Sequence, residues 1–339
     1  LVDCVRSNFV SSVGAYVNRF EAMLAEFTGA KYAVVAVNGT AALQVAMRLV
    51  GVGRDDEVLI PALSFVATAN AVHYLGAVPH FVDISYTSLG IDPESLAAYL
   101  KDTLELKNGS AYNRRTGRRV KAVVPMHTFG HPVDMDPLLE LAHKYKLEVV
   151  EDAAESLGSY YKGTLNGNKI ITTGGGGALI TDDEALAKAA KHLTTTAKVP
   201  HKWEYVHDTA GYNYRMPALN AALGCAQLEQ LPRFIEKKRK LAEYYRTAFK
   251  DLEGVSFFTE PEYAASNYWL NILLLDTPDL DLRDEILQRT NDAGIMTRPV
   301  WKLLNSLEMY RQCPSMELPV ARDIEQRLIN IPSSADLVE

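Results

Sequence analysis

The chain has 339 residues, 47% of them hydrophobic and 23% charged, with a net charge of −7. This length exceeds what one core usually serves, so a large lobe and a smaller one are expected, and the acidic balance argues against nucleic acid as a partner. Cys4, Cys225 and Cys313 are too scattered for a zinc or dithiol motif, and no apolar run reaches membrane-spanning length, so a cytoplasmic protein with no metal centre and no membrane partner is expected.

The chain opens on Leu1 and not Met, which leaves a preceding segment open. Helical spacing covers 16–27, and a short apolar strand covers 32–37. Helices then fall at 40–50, 64–74, 93–100 and 134–145, and strands at 58–60, 78–82, 121–126, 147–150 and 178–181. Such alternation predicts a largely parallel sheet covered on both faces. Residues 107–119 are polar, with Asn108-Gly109 and Thr116-Gly117 turn signals, and read as an exposed loop. From Pro217 onward helices dominate. Cys225 reads as a core residue of one of them, and a helix over 228–249 carries the basic run Lys237-Lys238-Arg239-Lys240, read as a solvated face. A strand over 267–275 and a helix over 281–293 belong to the second lobe. The expected division is a large domain at 1–230 and a small C-terminal domain at 231–339.

Two segments carry the chemistry. Val149-Val150-Glu151-Asp152 places a carboxylate at the end of an apolar strand, where open α/β sheets bind their ligands. Asn166-Gly167-Asn168-Lys169 places a lysine shortly before the run Gly174 to Gly177. A carboxylate to hold a protonated pyridine nitrogen and a lysine to form a Schiff base are what pyridoxal phosphate (PLP) chemistry needs. The ordinary readings are a capping aspartate, a surface lysine and a flexible glycine loop. Asn38-Gly39-Thr40 closes a strand and opens a helix, which makes either an anion site or a plain cap. Phe65 starts a helix after a strand, placed to stack on a flat ring or to fill a core. His127 stands at a strand end, as a structural residue or a pocket residue.

Taken in order, these pieces resemble the sugar-nucleotide aminotransferases of the DegT/DnrJ type. The resemblance runs from Val10-Ser11-Ser12-Val13-Gly14 and Arg19-Phe20-Glu21 through Asn38-Gly39-Thr40, Glu151-Asp152-Ala153-Ala154-Glu155 and Asn166-Gly167-Asn168-Lys169. It ends with Gly211-Tyr212-Asn213-Tyr214-Arg215-Met216 and Thr297-Arg298-Pro299. It implies the α/β aspartate-aminotransferase fold (PLP fold type I), with a mostly parallel seven-stranded sheet in the large domain and a smaller α+β C-terminal domain. It also implies residue roles. Lys169 would hold PLP and shuttle the proton, and Asp152 would pair with the pyridinium nitrogen. Glu155 would meet the ring hydroxyl, Gly39 and Thr40 the phosphate, and Phe65 the ring face. Asn213 would reach the phosphate from a second subunit, which makes a homodimer with composite active sites. His127, Tyr212, Arg215 and Trp301 are the candidate substrate contacts.

The implied reaction moves an amino group from L-glutamate, through pyridoxamine phosphate, to a nucleotide-linked 4-keto-6-deoxy sugar of surface glycan synthesis. Members of the family carry a longer stretch between the equivalents of Lys162-Gly163 and Asn166-Gly167, usually ending in a phosphate-binding serine. Only Thr164-Leu165 stand here, so Thr164 is not given that role, and the sequence is expected to lack a mobile segment at this point. A non-catalytic binding protein of the same fold and a PLP or pyridoxamine phosphate sugar dehydratase are the alternatives. Lys169, Asp152 and Thr40 together weigh against the first. Lys169 weighs against the second, because the deoxygenating members carry histidine there.

Overall fold

The computed structural model describes residues 1–12, 14–162, 164–166 (backbone only) and 170–338. They group into two compact units. The first comprises Leu1–Gly53, Asn70–Leu75 and Ile171–Pro232; the second comprises Arg54–Ala69, Gly76–Ile170 and Arg233–Glu339. Among the described residues no helix is long and apolar enough to cross a membrane.

In the first unit the strand Tyr32–Ala36 pairs antiparallel with Gly177–Thr181, Ala36 opposite Gly177. Helices Gly39–Leu49 and Glu184–Thr194 cover the pair, and Val34, Val45, Ala187, Ala190 and Leu193 form the core between them. Both helices start on a side-chain cap. Asn38 accepts from the Ala41 N–H, and Asp183 accepts from Ala185 and Leu186.

In the second unit a six-stranded sheet runs in the order Val78–Val82, Glu57–Pro61, Arg119–Val123, Ser110–Asn113, Leu104–Lys107, with Glu148–Val149 also on Arg119–Val123. The pairs Glu57–Pro61 with Val78–Val82, Glu57–Pro61 with Arg119–Val123, and Arg119–Val123 with Glu148–Val149 are parallel. Every residue of Glu57–Pro61 is buried, as expected of a strand covered on both faces. A four-stranded antiparallel sheet (Val255–Phe257, Asn271–Leu275, Leu328–Ile331, Arg298–Pro299) packs Leu273, Leu275, Ile329 and Ile331 into a core of its own.

Three expectations are corrected. A single seven-stranded sheet does not form among the described residues, because Tyr32–Ala36 and Gly177–Thr181 pair only with each other there, and two of the five pairings in the larger sheet are antiparallel. Residues 107–119 are not one exposed loop. Leu104–Lys107 and Ser110–Asn113 close a hairpin on Asn108-Gly109, both at positive φ (50° and 77°), as a twist-matched two-residue turn requires. The basic run is not a solvated face either. Lys238 is 6% exposed, donates to the carbonyls of Trp269 (3.0 Å) and Ser333 (2.5 Å), and burial pushes its amine down to about 8. Lys237 donates to the Val338 carbonyl at 3.0 Å, and Arg239 forks onto Glu260 at 2.7 and 2.8 Å.

Away from the parallel strands' carboxyl ends, Glu57 is wholly buried and meets Nδ1 of His80 (2.9 Å), Nδ2 of Asn113 (2.8 Å) and the Thr116 hydroxyl (2.5 Å). Burial alone would raise its pKa, but these donors outweigh it and hold the carboxyl below its ordinary 4.5. A depressed carboxyl contributes stability above 4.5 that is lost as pH falls through the folded value. Glu57→Gln is therefore expected to cost about 3 kcal/mol at neutral pH in urea unfolding, with a smaller gap to wild type at acid pH.

His131 is the opposite case. Its ring is wholly buried against Phe258 and Tyr268, its nitrogens have no hydrogen-bond partner among the described residues, and burial pushes it from 6.5 to about 3. Between those values the unfolded chain takes up a proton that the folded chain refuses, so stability falls as pH drops from 6.5. The expected loss at pH 5 is on the order of 2 kcal/mol. His131→Phe should remove that component, read as unfolding midpoints at pH 7.5 and pH 5, where the Glu57 contribution is still whole.

Candidate active site

Asp152 lies just past the strand Glu148–Val149, and its backbone continues the parallel pairing. Its N–H donates to the Pro125 carbonyl (2.8 Å), and its carbonyl accepts from the His127 N–H (3.2 Å). The carboxylate is 5% exposed. Its Oδ2 accepts from the Thr68 hydroxyl at 2.6 Å and its Oδ1 from the Ala154 N–H at 3.2 Å. A second, fully buried hydroxyl, Ser64, lies 3.2 Å from Thr68 Oγ1 and 3.0 Å from the Met126 sulfur. A buried, hydrogen-bonded carboxylate of this kind suits a cationic nitrogen.

Glu155 is also wholly buried, and its Oε2 accepts from the Phe129 N–H at 2.8 Å. Phe65 is 44% exposed, and its ring centre lies 6.1 Å from that of Trp301. Trp301 stacks on Phe129 at 5.0 Å, and Phe129 on Trp269 at 6.4 Å. This aromatic wall brings in Phe129 and Trp269, which sequence reasoning missed. Phe129 sits in the left-handed region (φ 57°), unusual for a bulky residue, and no local signal marks it.

His127, expected to face the substrate, is placed otherwise. Its ring is wholly buried. The Val133 N–H donates to Nδ1 at 3.1 Å, so Nε2 carries the proton and donates to Glu151 at 3.0 Å. With both nitrogens engaged inside the protein, the ring braces the strand end that carries Asp152. Burial would raise the Glu151 carboxyl, but the His127 bond more than offsets it and the carboxyl sits below its ordinary value.

In the first unit the helix Gly39–Leu49 opens with backbone N–H groups of the kind that suit an anion. Asn38 caps the helix through the Ala41 N–H (2.8 Å), and the first backbone bond of that helix runs from Ala42 N–H to the Asn38 carbonyl (3.2 Å). The Gly39 and Thr40 N–H groups precede that bond, and a Cβ on Gly39 would have nothing within 4 Å. The glycine run explains the close packing beneath. A Cβ on Gly177 would come within 2.5 Å of the Asn38 carbonyl, and one on Gly176 within 2.3 Å of the Thr173 hydroxyl. These glycines are therefore close-approach positions and not merely loose chain.

Tyr212 stacks on Tyr214 at 4.7 Å and accepts from the Arg48 guanidinium at 2.8 Å. Asn213 and Arg215 are both exposed and bonded to each other, Nε to Oδ1, at 2.9 Å. Lys169 lies outside the described residues, as do Gly163 and the Thr164 side chain, where the shortened connection was expected. Taken unit by unit, the described residues suit parts of PLP: the helix start at Gly39 and Thr40 its phosphate in the first, the buried Asp152 acceptor and the exposed Phe65 ring its pyridine in the second.

Over residues 1–339 the chain matches the DegT/DnrJ/EryC1/StrS aminotransferase family. It is 35% identical to GDP-perosamine synthase of Escherichia coli O157:H7, over 99% of this chain and 89% of that protein. It is 37% identical, over 99% of this chain and 88% of the relative, to EpsN of Bacillus subtilis, which bears the name of a pyridoxal phosphate-dependent aminotransferase. The fold matches DesI, solved in the presence of its TDP-sugar product, with a TM-score of 0.85 and 27% identity over 99% of this chain and 84% of DesI. The chain belongs to the DegT/DnrJ/EryC1/StrS aminotransferase family.

Proposed function

We propose that this PLP-dependent family enzyme moves an amino group from L-glutamate to a nucleotide-linked 4-keto-6-deoxy sugar, in the making of surface glycans or amino sugars. The observation that carries the reading is the Asp152 carboxylate, buried beside parallel strands and fixed by two donors. When bound, PLP supplies an aldehyde that takes up amines and a ring that withdraws electrons from the adjacent carbon.

The chain's residues do the rest. Asp152 would pair with the protonated ring nitrogen. The Gly39 and Thr40 N–H groups would hold the phosphate, Phe65 would cover a ring face, and Glu155 would meet the ring hydroxyl. Lys169 would hold the aldehyde through its Nζ and, as a free amine, would move the proton. Asn213 of a second copy completes the phosphate site, so the working form is a homodimer in the cytoplasm. Its exposed place on the first unit is compatible with that reach. Trp301, Tyr212 and Arg215 are assigned to the sugar nucleotide. His127 is not, because its ring is enclosed. The name of GDP-perosamine synthase and the TDP-sugar of DesI support a nucleotide sugar as acceptor. The division at 230/231 into a large PLP-binding and a small domain belongs to the same reading, and the four-stranded sheet at Val255–Ile331 supports it.

The purified protein with PLP is expected to show a visible absorbance band that bleaches with L-glutamate and is missing in Lys169→Ala. Absence of a band in wild type would overturn the reading. Asp152→Asn should keep bound PLP but lower kcat by roughly 10²–10³-fold in a ketosugar assay. Gly177→Ala should raise the Kd for PLP about tenfold by pushing on the Asn38–Gly39 peptide, measured by ultrafiltration. An unchanged Kd would separate that packing from phosphate binding.

A further inference from the structure

Resting on the reading above, we infer that Thr68 is a positioning residue: its hydroxyl fixes the rotation of the Asp152 carboxylate and stabilises its charge. Thr68 is wholly buried in the first turn of the helix Val66–Tyr74. Valine has nearly the same shape, and burying a hydroxyl is costly unless it is bonded, so packing alone does not call for threonine here.

The bond geometry gives the hydroxyl its direction. At 2.6 Å the contact with Oδ2 is as short as a bond to a charged oxygen should be, and the single Thr68 proton goes to that acceptor. Thr68 Oγ1 also lies 3.2 Å from Ser64 Oγ, whose own proton has the Met126 sulfur (3.0 Å) and the Phe65 carbonyl (3.3 Å) as acceptors. On the other side the Ala154 N–H holds Oδ1 at 3.2 Å. Pinned from both sides, the carboxylate plane is set before any ligand arrives.

The same turn also places the ring. The Thr68 N–H donates to the Phe65 carbonyl at 3.3 Å, so Phe65 and Thr68 are locked in one turn. One short piece of backbone thus sets both the exposed aromatic face and the orientation of the carboxylate.

The test compares Thr68→Val, which keeps the shape and loses the hydroxyl, with Thr68→Ser, which keeps the hydroxyl. The readouts are thermal midpoint, Kd for PLP, the pH midpoint of the visible band of bound PLP, and kcat and KM with L-glutamate. Thr68→Val is expected to fold, to shift the pH midpoint of the band, and to lower kcat about tenfold with KM for glutamate little changed. Thr68→Ser should restore the band and recover most of kcat. An unshifted band in Thr68→Val, or a serine variant as impaired as the valine variant, overturns the inference. If Thr68→Val does not fold, Thr68→Ala, which removes the same hydroxyl with less side chain to accommodate, should shift the band with the same sign, and an unshifted band there overturns it too. No band in wild type would instead bring down the underlying PLP reading, and that result differs from every variant-specific failure.

Discussion

A carboxylate buried at the end of a parallel strand must have its oxygens met by donors, and much of the second unit is arranged around meeting those of Asp152. Two donors hold the side chain, and Pro125 and His127 hold the main chain. The demand then passes outward. His127 is fixed by the Val133 N–H on one side and Glu151 on the other. Nearby, Glu155 takes the Phe129 N–H, and its own carbonyl takes Asn267 Nδ2 at 2.9 Å. The aromatic wall of Phe129, Trp269 and Trp301 starts from that same anchored Phe129. Charge, backbone and rings are thereby held by short bonds on residues far apart in sequence.

That sequence distance explains what could be read beforehand. The strand-end place of Asp152 was legible because a strand, an acidic residue and a run of small residues are adjacent in the chain. The strands 58–60 and 78–82 were legible because continuous apolar runs between helical patterns have few other meanings. Thr68 was not, since its partner is 84 residues away and its neighbours show only an ordinary helix start. The hairpin at 104–113 was misread because its polarity outweighed its Asn-Gly turn, although Ala111 is 1% exposed and sits in the core. His127 was placed at the right strand end but turned the wrong way, because sequence position does not reveal which way a ring faces.

The glycine run shows how an ambiguous signal is resolved by geometry. Flexible loop and close approach look the same in sequence. The two separate once an added Cβ on Gly177 is seen to collide with the backbone that begins the Gly39 helix. A side chain there would not loosen a loop; it would displace the peptide that opens the Gly39 helix.

Two lysines of the basic run, Lys237 and Lys238, reach the segment 333–338 through its carbonyl oxygens. A carbonyl is common to every amino acid, so this attachment depends on the spacing of the chain and is blind to most of the side chains it carries. Residues 334–338 can therefore drift in identity over evolution while the hold persists, whereas loss or gain of one residue would break the register between Lys237 and its acceptor. Selection on this stretch is expected to be felt as a constraint on length more than on composition.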